Sequence, residues 1–523
     1  MGKKVVIVEA LSTGFNLVDD CLERDLEPVI LERYFEAYEY YEEIKAARQI
    51  KYRKLKSGVT ILREDPDYNK TLEMIRLLDP ILIIAGSEDG VTLALRLSRD
   101  LLLPGNPYEL IDKMTNKYYM HKALKDAGVR YIRGEVFDNA EDALNFYDSL
   151  DTDRVVIKPP HGAASVGVRF CSSRQEVEEN FNRQLGSVGM LGDVTDKLLL
   201  QERISGREFI VNTITIDGQH MVTSIWAYEK KALDNGSIVY VGMEAVDTVT
   251  PEAFVLTAYA FDVLDAIGIQ QGPVHGEYML DEKGPVLIEV NCRCMGGCYP
   301  ADYGDKIFGH HETDIALDSY LDPERVRQKL PKLYKTYRHA RVKFLISPES
   351  IPLKNSPIIG LIPFLKSYYL CSISNSALND SIHRTIDLET SPGTIYMISD
   401  DYETVKKEYD LLSVLESHFF GLLYQASYDP EKGGMPDVIF DDKTRNHITI
   451  NIPGLKDYPL EDVYGYFRQI VMGLAPGGEV CVPSVTYRDF PYEKEGIIMV
   501  LKIMGLEPML PKHRSEDLFF VKA

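Results

Sequence analysis

Glu277 and Glu289 stand on two neighbouring apolar runs, His275–Leu280 and Pro285–Val290, joined by the turn-forming Asp281-Glu282-Lys283-Gly284. Paired as a hairpin, the runs set the two carboxylates face to face, and the two-residue period of a strand puts Asn291 on the same face as Glu289. Facing carboxylates repel unless a cation lies between them. Oxygen ligands from Glu277, Glu289 and Asn291 suit Mg²⁺, which completes its octahedron with water and phosphate oxygens. An ordinary charged surface hairpin is the simpler reading, but Leu287-Ile288 makes the second run a core strand, beside which unpaired carboxylates would be costly. Arg293, at the end of that strand, is placed to swing onto a transferring phosphoryl group.

Lys158 closes the buried run Val155-Val156-Ile157 and is followed by Pro159-Pro160-His161-Gly162-Ala163-Ala164-Ser165-Val166-Gly167. Small side chains let backbone N–H groups approach phosphate oxygens while the ammonium supplies charge; a solvated lysine at a strand end is the alternative. The run is neither a Walker A loop nor a G-x-G-x-x-G fingerprint, and it lacks the first glycine of a nucleophile elbow. Cys292-x-Cys294 with Cys298 has no fourth ligand at zinc spacing and reads as free thiols. His310-His311 either touches a substrate or caps a helix.

These groups need elements to hold them. Val5–Val8, Pro28–Leu31 and Ile81–Ala85 read as strands, and Asn16–Arg24, Tyr68–Leu78 and Val91–Leu103 as amphipathic helices. That alternation implies βαβ units and a parallel sheet. Glu9 cuts the first apolar run, which therefore reads as a strand and not as the h-region of a signal peptide. Gly86–Gly90 follows a strand at the carboxyl edge of such a sheet, where ligands bind, so Glu88 is a candidate substrate contact, with a solvated loop carboxylate as the alternative. A second unit begins near Asn106. It comprises helices Lys117–Ala127, Ala140–Leu150, Gln175–Gln184 and 254–267, strands Val155–Ile157, Leu198–Gln201 and Phe209–Ile216, and the hairpin. Residues from about 335 to 425 form a smaller α+β region containing Tyr368–Ile373, and Ser427–Pro430 with Gly433-Gly434 reads as a linker.

In this order the motifs resemble the ATP-grasp superfamily over residues from about 1 to 425. Asp112–Lys117 followed by Met120-His121-Lys122-Ala123-Leu124 is similar to the segment that carries the family's first nucleotide lysine, which puts Lys117 at that position. Lys158 falls on the second lysine, and Gly162, Ala163, Ala164, Ser165 and Gly167 on the loop over the β and γ phosphates. Leu200–Phe209 resembles the adenine hinge: Gln201 or Glu202 for the amino group, the backbone of Arg203 and Ile204 for the ring edge, and Glu208 for the ribose. Glu277, Glu289 and Asn291 match the magnesium ligands and Arg293 the arginine of the phosphoryl intermediate. The segment Glu88–Val91, the linker Leu103–Pro107 and the His275-Gly276-Glu277 strand look most like the L-amino-acid ligases of the alanine-anticapsin type, with Gly360 to about Ser417 as their lid. Glu88, His275, Gly296, Gly297 and His310 are the candidate substrate contacts. The resemblance implies ATP and Mg²⁺, and activation of a small carboxylate as an acyl phosphate that an amine attacks. A bicarbonate-activating carboxylase and a nucleotide-binding pseudoenzyme are the alternatives.

The expected fold class is thus α/β and α+β multidomain: an N-terminal parallel-sheet domain (1–107), an ATP-grasp nucleotide domain (108–333), a small α+β lid (334–427) and an appendage (428–523). The appendage, with helix Leu460–Leu474, turn Ala475–Gly478, strand Glu479–Val482, helix Lys494–Met504 and strand Leu518–Lys522, resembles the C-terminal half of a class I methyltransferase fold. Nothing between Tyr428 and Ile448 supplies that fold's glycine-rich donor loop, so it is expected to be non-catalytic and to serve packing or homodimer contacts.

Composition agrees. The 523 residues, 45% hydrophobic and 26% charged, exclude a disordered, collagenous or coiled-coil chain and leave room for about three or four domains. With 80 Asp and Glu against 58 Lys and Arg, the net charge of −22 repels phosphate backbones and anionic lipid, so neither nucleic acid nor membrane is an expected partner. Seven cysteines, an odd number, suit a reducing cytosol, and no run approaches the roughly 18 apolar residues of a membrane span. A soluble cytoplasmic enzyme is expected.

Overall fold

The computed structural model describes residues 2–34, 58–162, 167–187, 194–232, 238–297, 299–330, 334–347, 350–352, 365–373, 381–386, 390–418 and 447–449, and then 467, 469–482, 498, 501–502, 506–509 and 518–522. The chain falls into two units, Met1–Tyr228 with Ala245–Tyr337, and Glu229–Glu244 with Arg338–Ala523.

The first unit begins with β1 (Lys4–Val8), α1 (Asn16–Glu23), β2 (Glu27–Glu32), β3 (Thr60–Arg63), α2 (Tyr68–Arg76), β4 (Pro80–Ala85) and α3 (Val91–Asp100). The strands form a parallel sheet ordered β3-β2-β1-β4. β1, β2 and β4 are near-continuous apolar runs because both faces of such a sheet are covered. β3 escaped the sequence reading because it is a four-residue edge strand that is mostly exposed. α3 stops at Asp100, three residues short of expectation. Leu102 takes a left-handed φ of 56° and the Leu103 N–H returns to Ser98 O at 2.8 Å, a closure that satisfies a terminal carbonyl.

Next come α4 (Ile111–Thr115), α5 (Lys117–Asp126), β5 (Gly134–Phe137), α6 (Ala140–Asp148), β6 (Val155–Lys158), β7 (Arg169–Cys171), α7 (Arg174–Gln184) and β8 (Leu198–Glu202). Their strands make an antiparallel sheet ordered β5-β8-β6-β7. Asn116, Asn139 and Ser173 cap α5, α6 and α7 by accepting backbone N–H groups of the first turn.

β9 (Arg207–Ile216) and β10 (Gln219–Ala232) follow. β11 (Ile238–Ala245) lies almost wholly in the second unit, and the chain returns through α8 (Pro251–Ile267), β12 (Gln271–Asp281) and β13 (Gly284–Asn291). In the first unit these strands are ordered β13-β12-β9-β10, all antiparallel. α8 begins three residues before its expected start because Thr250 caps it and Pro251 fits its first turn; Gly268, at φ 89°, closes it. α9 (Ala301–Phe308), α10 (Glu312–Leu321) and α11 (Pro323–Lys329) complete the unit. Ile315, Ala316 and Leu317 of α10 share one core with Val5, Ile7, Ile30, Leu82 and Ile84 of the parallel sheet and Ile214 and Ile216 of β9.

In the second unit β11 is joined by β14 (His339–Phe344), β16 (Tyr368–Ile373) and β18 (Gly393–Ser399) in the antiparallel order β11-β14-β18-β16, with α12 (Tyr402–His418) packed on β14 and β18. β15 (Ile351–Pro352) pairs β17 (Ser381–Ile382). Lys343, only 1% exposed, pairs with Glu416 of α12, as a buried ammonium must. A further sheet orders β19 (His447–Thr449), β20 (Glu479–Val482), β21 (Leu506–Met509) and β22 (Leu518–Lys522) as β19-β20-β22-β21. The expected linker Ser427–Gly434, all but residue 498 and residues 501–502 of the expected helix Lys494–Met504, and residues 460–466 of the expected helix Leu460–Leu474 lie outside the described residues.

Candidate functional site

β12 and β13 pair with Glu277 opposite Glu289 and His275 opposite Asn291, and a bulge follows Glu277. The cation beside these facing carboxylates is a lysine. Lys117 Nζ lies 2.7 Å from Glu289 Oε2 and donates to Gly162 O at 2.6 Å. Burial opposes ionisation of Glu289, yet Lys117, then Lys158 and an Asn291 amide donating at 3.2 Å, hold its carboxyl down at about 2. Burial likewise opposes the Lys117 charge, but Glu289 and Glu88 keep that ammonium above its ordinary range. Lys158 goes the other way: burial first and Lys117 second bring it down to about 8.

Arg293 leaves the end of β13 and reaches Glu88 in the loop after β4, with Nη2 3.1 Å from Oε2. Burial raises the Glu88 carboxyl even against that guanidinium. Two elements far apart in sequence thus converge on one charged cluster. Tyr228, on β10, joins it: burial and then Glu277 push its phenol well above the usual value. The sequence reading missed Tyr228 because β10 was not foreseen, and strand alternation from Trp226 is the signal that would have found it.

The positions of the two lysines are tied together locally. Asn116 caps α5 and its amide touches His161 Nε2 at 3.0 Å, while the Lys117 N–H donates to Pro160 O at 2.9 Å, so the start of α5 is pinned to the loop that follows Lys158. Gly162 and Gly167 both have positive φ, 121° and 74°, a backbone conformation that glycine adopts without steric cost. Ala163, Ala164, Ser165 and Val166 lie outside the described residues.

In the expected hinge, Gln201 is 2% exposed and its Nε2 has no partner among the described residues. A side chain on Gly134 would meet Gln201 Cγ at 2.3 Å, so glycine there makes room for the amide. Glu202 is only partly buried. The Arg203 N–H is committed to Arg154 O at 2.9 Å and its guanidinium lies over Phe170, and Ile204 follows, partly buried. Glu208 is buried on β9 and contributes to the field at Lys158. An orphaned buried amide on β8, the strand paired with the one that ends in Lys158, fits a nucleotide, and two carboxylates with an amide oxygen fit a hard divalent cation. Among the described residues no group of three or more His, Cys, Asp or Glu side chains is poised to hold a metal, so such an ion would depend on Asn291 and on the nucleotide for its remaining oxygens.

The candidate substrate contacts divide. His275 belongs to the cluster, with Nδ1 2.8 Å from Asn212 Oδ1 and Nε2 3.4 Å from Glu277 Oε1. Gly296 and Gly297 lie against the first turn after β1, where the Gly297 N–H donates to Ser12 Oγ at 2.7 Å. His310 is held elsewhere. Its Nε2 meets Thr223 O at 2.9 Å, its ring packs on Phe308, and burial brings it down to about 4. Burial pushes the Cys292 thiol up to about 12 and Cys294 well above its ordinary value, in keeping with inert free thiols; Cys298 lies outside the described residues. Asn212, Ser224 and Glu312, joined by hydrogen bonds, carry no motif and were not foreseen.

A family profile described as an ATP-grasp domain matches residues 152–302, which include Lys158, the hinge and the metal-site candidates. Dapdiamide A synthase of Enterobacter agglomerans is 30% identical over 345 residues, 65% of this chain and 80% of that protein. The chain therefore belongs to the ATP-grasp family and is an ADP-forming ligase. Within that family its likeness is to the L-amino-acid ligases. The L-amino acid ligase from Bacillus licheniformis superposes with a TM-score of 0.62 at 16% identity, covering 79% of this chain and 97% of that one. D-alanine–D-alanine ligase of Bacillus cytotoxicus is 23% identical over 238 residues, 43% of this chain and 63% of that protein. Among the described residues no helix is long and apolar enough to cross a membrane.

Proposed function

We propose that this ligase joins a small carboxylate to an amine through an acyl phosphate, with an amino acid as at least one substrate. The observation that carries the reading is the convergence of Lys117 and Lys158 on Glu277 and Glu289, to which Arg293 is joined through Glu88, in a relative of dapdiamide A synthase and D-alanine–D-alanine ligase. A carboxylate is a poor electrophile because its leaving group would be oxide. The substrate carboxylate attacks the γ-phosphorus of ATP, ADP departs, and the amine then attacks the acyl carbon and expels phosphate. Lys117 and Lys158 offset the repulsion between γ-phosphate and carboxylate, and Arg293 stabilises the phosphoryl group in flight. Gln201 offers its buried amide to adenine and Glu208 its carboxylate to the ribose. Glu277, Glu289 and Asn291 would hold Mg²⁺, which supplies charge neutralisation at the phosphates. Glu289 is already ionised for that role.

In this reading residues 1–107, 108–333 and 334–427 are the three ATP-grasp regions of a cytoplasmic enzyme, and 428–523 is a non-catalytic module. The order β19-β20-β22-β21, with β19 and β20 parallel and β22 antiparallel to both its neighbours, supports likeness to the C-terminal half of a class I methyltransferase sheet. Because the Bacillus licheniformis enzyme is matched almost whole, about a fifth of this chain has no counterpart in it, as an added module requires. ADP release with ATP and pooled amino acids, followed by mass spectrometry of the products, tests the function. Turnover should need two substrates and yield an amide. Dependence on bicarbonate, or no turnover with any pool, would overturn the reading.

A further inference from the structure

The segment that carries Arg293 away from β13 is held by four anchors, three of them side chains given no part in the reaction above. The Arg293 N–H returns to Asn291 O at 2.8 Å, Met295 N–H to Glu312 Oε2 at 2.8 Å, Gly297 N–H to Ser12 Oγ at 2.7 Å and Tyr299 N–H to Thr13 Oγ1 at 3.0 Å. Only one of these four anchors is a carboxylate, and charge-assisted bonds are the stronger kind. Glu312 opens α10, far in sequence from the hairpin. Burial raises its carboxyl and the Met295 amide opposes that rise.

The second oxygen of Glu312 is also occupied. Oε1 accepts from Ser224 Oγ at 3.1 Å and from Asn212 Nδ2. Since Asn212 donates there through Nδ2, its Oδ1 is the acceptor for His275 Nδ1 at 2.8 Å, and His275 Nε2 faces Glu277 Oε1 at 3.4 Å. One line of side chains therefore runs from the backbone two residues past Arg293 to the candidate metal ligand Glu277. Ser224 and Asn212 fix the rotamer of Glu312, and Glu312 fixes the backbone from which the guanidinium projects.

We propose that Glu312 is a positioning residue for Arg293: its carboxylate holds the Met295 amide, and through it the approach of the guanidinium to the phosphoryl group. This rests on the role given to Arg293 above. Misplacement of a catalytic group by about 1 Å lowers rate on the order of 10²-fold, which sets the scale of the effect.

The test is a double-mutant cycle in the full-length protein, read as ADP release with ATP and the mixed amino-acid pool, beside calorimetric ATP titration. Glu312→Ala should lower turnover roughly 10- to 100-fold with ATP affinity held within about twofold, whereas Glu312→Gln, which keeps a carbonyl acceptor for Met295, should recover most of it. Arg293→Ala alone should lower turnover by on the order of 10² or more, and adding Glu312→Ala should lower it no more than about twofold further, because the effect passes through the missing guanidinium. A full loss repeated in the double variant, or a Gln variant as poor as Ala, would overturn the positioning role and leave that of Arg293 standing. Unchanged turnover in Arg293→Ala would instead remove the role of Arg293 and this inference with it. If Glu312→Ala does not fold, Glu312→Asp, one methylene too short to reach Met295, takes its place in the cycle under the same criteria.

Discussion

At the scale of the residue, two lysines in one cluster differ because their neighbours differ. Lys117 has a carboxylate at 2.7 Å and stays firmly charged, while Lys158 is buried beside Lys117 and comes down to about 8. The sign follows directly: Lys158 is charged below pH 8 and loses its charge above it, so the free protein loses part of its attraction for phosphate as pH rises. ATP affinity should therefore fall between pH 8 and 9 by up to about tenfold, and Lys158→Arg, which cannot be deprotonated, should hold its affinity across the same range. Calorimetric titration at pH 7, 8 and 9 measures this, and equal slopes for the two proteins would exclude Lys158 from the nucleotide site. Lys158, Glu277, Glu289 and Arg293 were readable because each sits at a strand end or on a hairpin face, where a two-residue period fixes direction. Asn212 and Glu312 were not, since their surroundings come from strands and a helix that only the folded chain brings together, and Tyr228 was lost with β10.

At the scale of the element, the parallel sheet and the hairpin were legible because their apolar runs are local and bounded by turn residues. β10 was hidden by its composition: Thr223 and Ser224 are buried on it, where a polar dipeptide gives no core signal, and Lys230-Lys231 sits near its end. His311, read as a cap or a substrate contact, proves to tie helices together. Its Nε2 meets Asp20 of α1 and its Nδ1 Asp305 of α9, both at 2.9 Å. Burial opposes its charge, but the Asp20 and Asp305 bonds raise it to about 10 from an ordinary 6.5. A group raised on folding binds more protons in the native state between those values, so its contribution is complete below pH 6.5 and is lost as pH climbs towards 10. The contribution is on the order of 3 kcal/mol once the exposure of Asp305 is discounted. Thermal unfolding of the protein and of His311→Asn should differ most near pH 6 and converge by pH 10. A gap that stays constant with pH would show that His311 is not the titrating tie.

At the scale of the whole molecule, a chain of net charge −22 gathers cations where an anionic substrate would need them. That background repels polyanions at long range, while in the proposed function Lys117, Lys158 and Arg293, set among carboxylates, would act at short range on a small multivalent anion. The C-terminal module obeys a different logic. Its strand order, β19-β20-β22-β21, is what supports the proposed likeness to half a methyltransferase sheet, but methyl-donor binding in such folds falls to the glycine-rich turn after the first strand of the other half, where helix N-termini and close backbone approach receive the ligand. The 428–448 stretch contains Gly433-Gly434 but no strand-glycine-helix pattern to supply that turn. The full-length protein should therefore give no binding heat on titration with S-adenosylmethionine, while ATP in the same cell gives a clear isotherm. Saturable micromolar binding of S-adenosylmethionine would mean that the module retains a donor site and that the chain combines two chemistries.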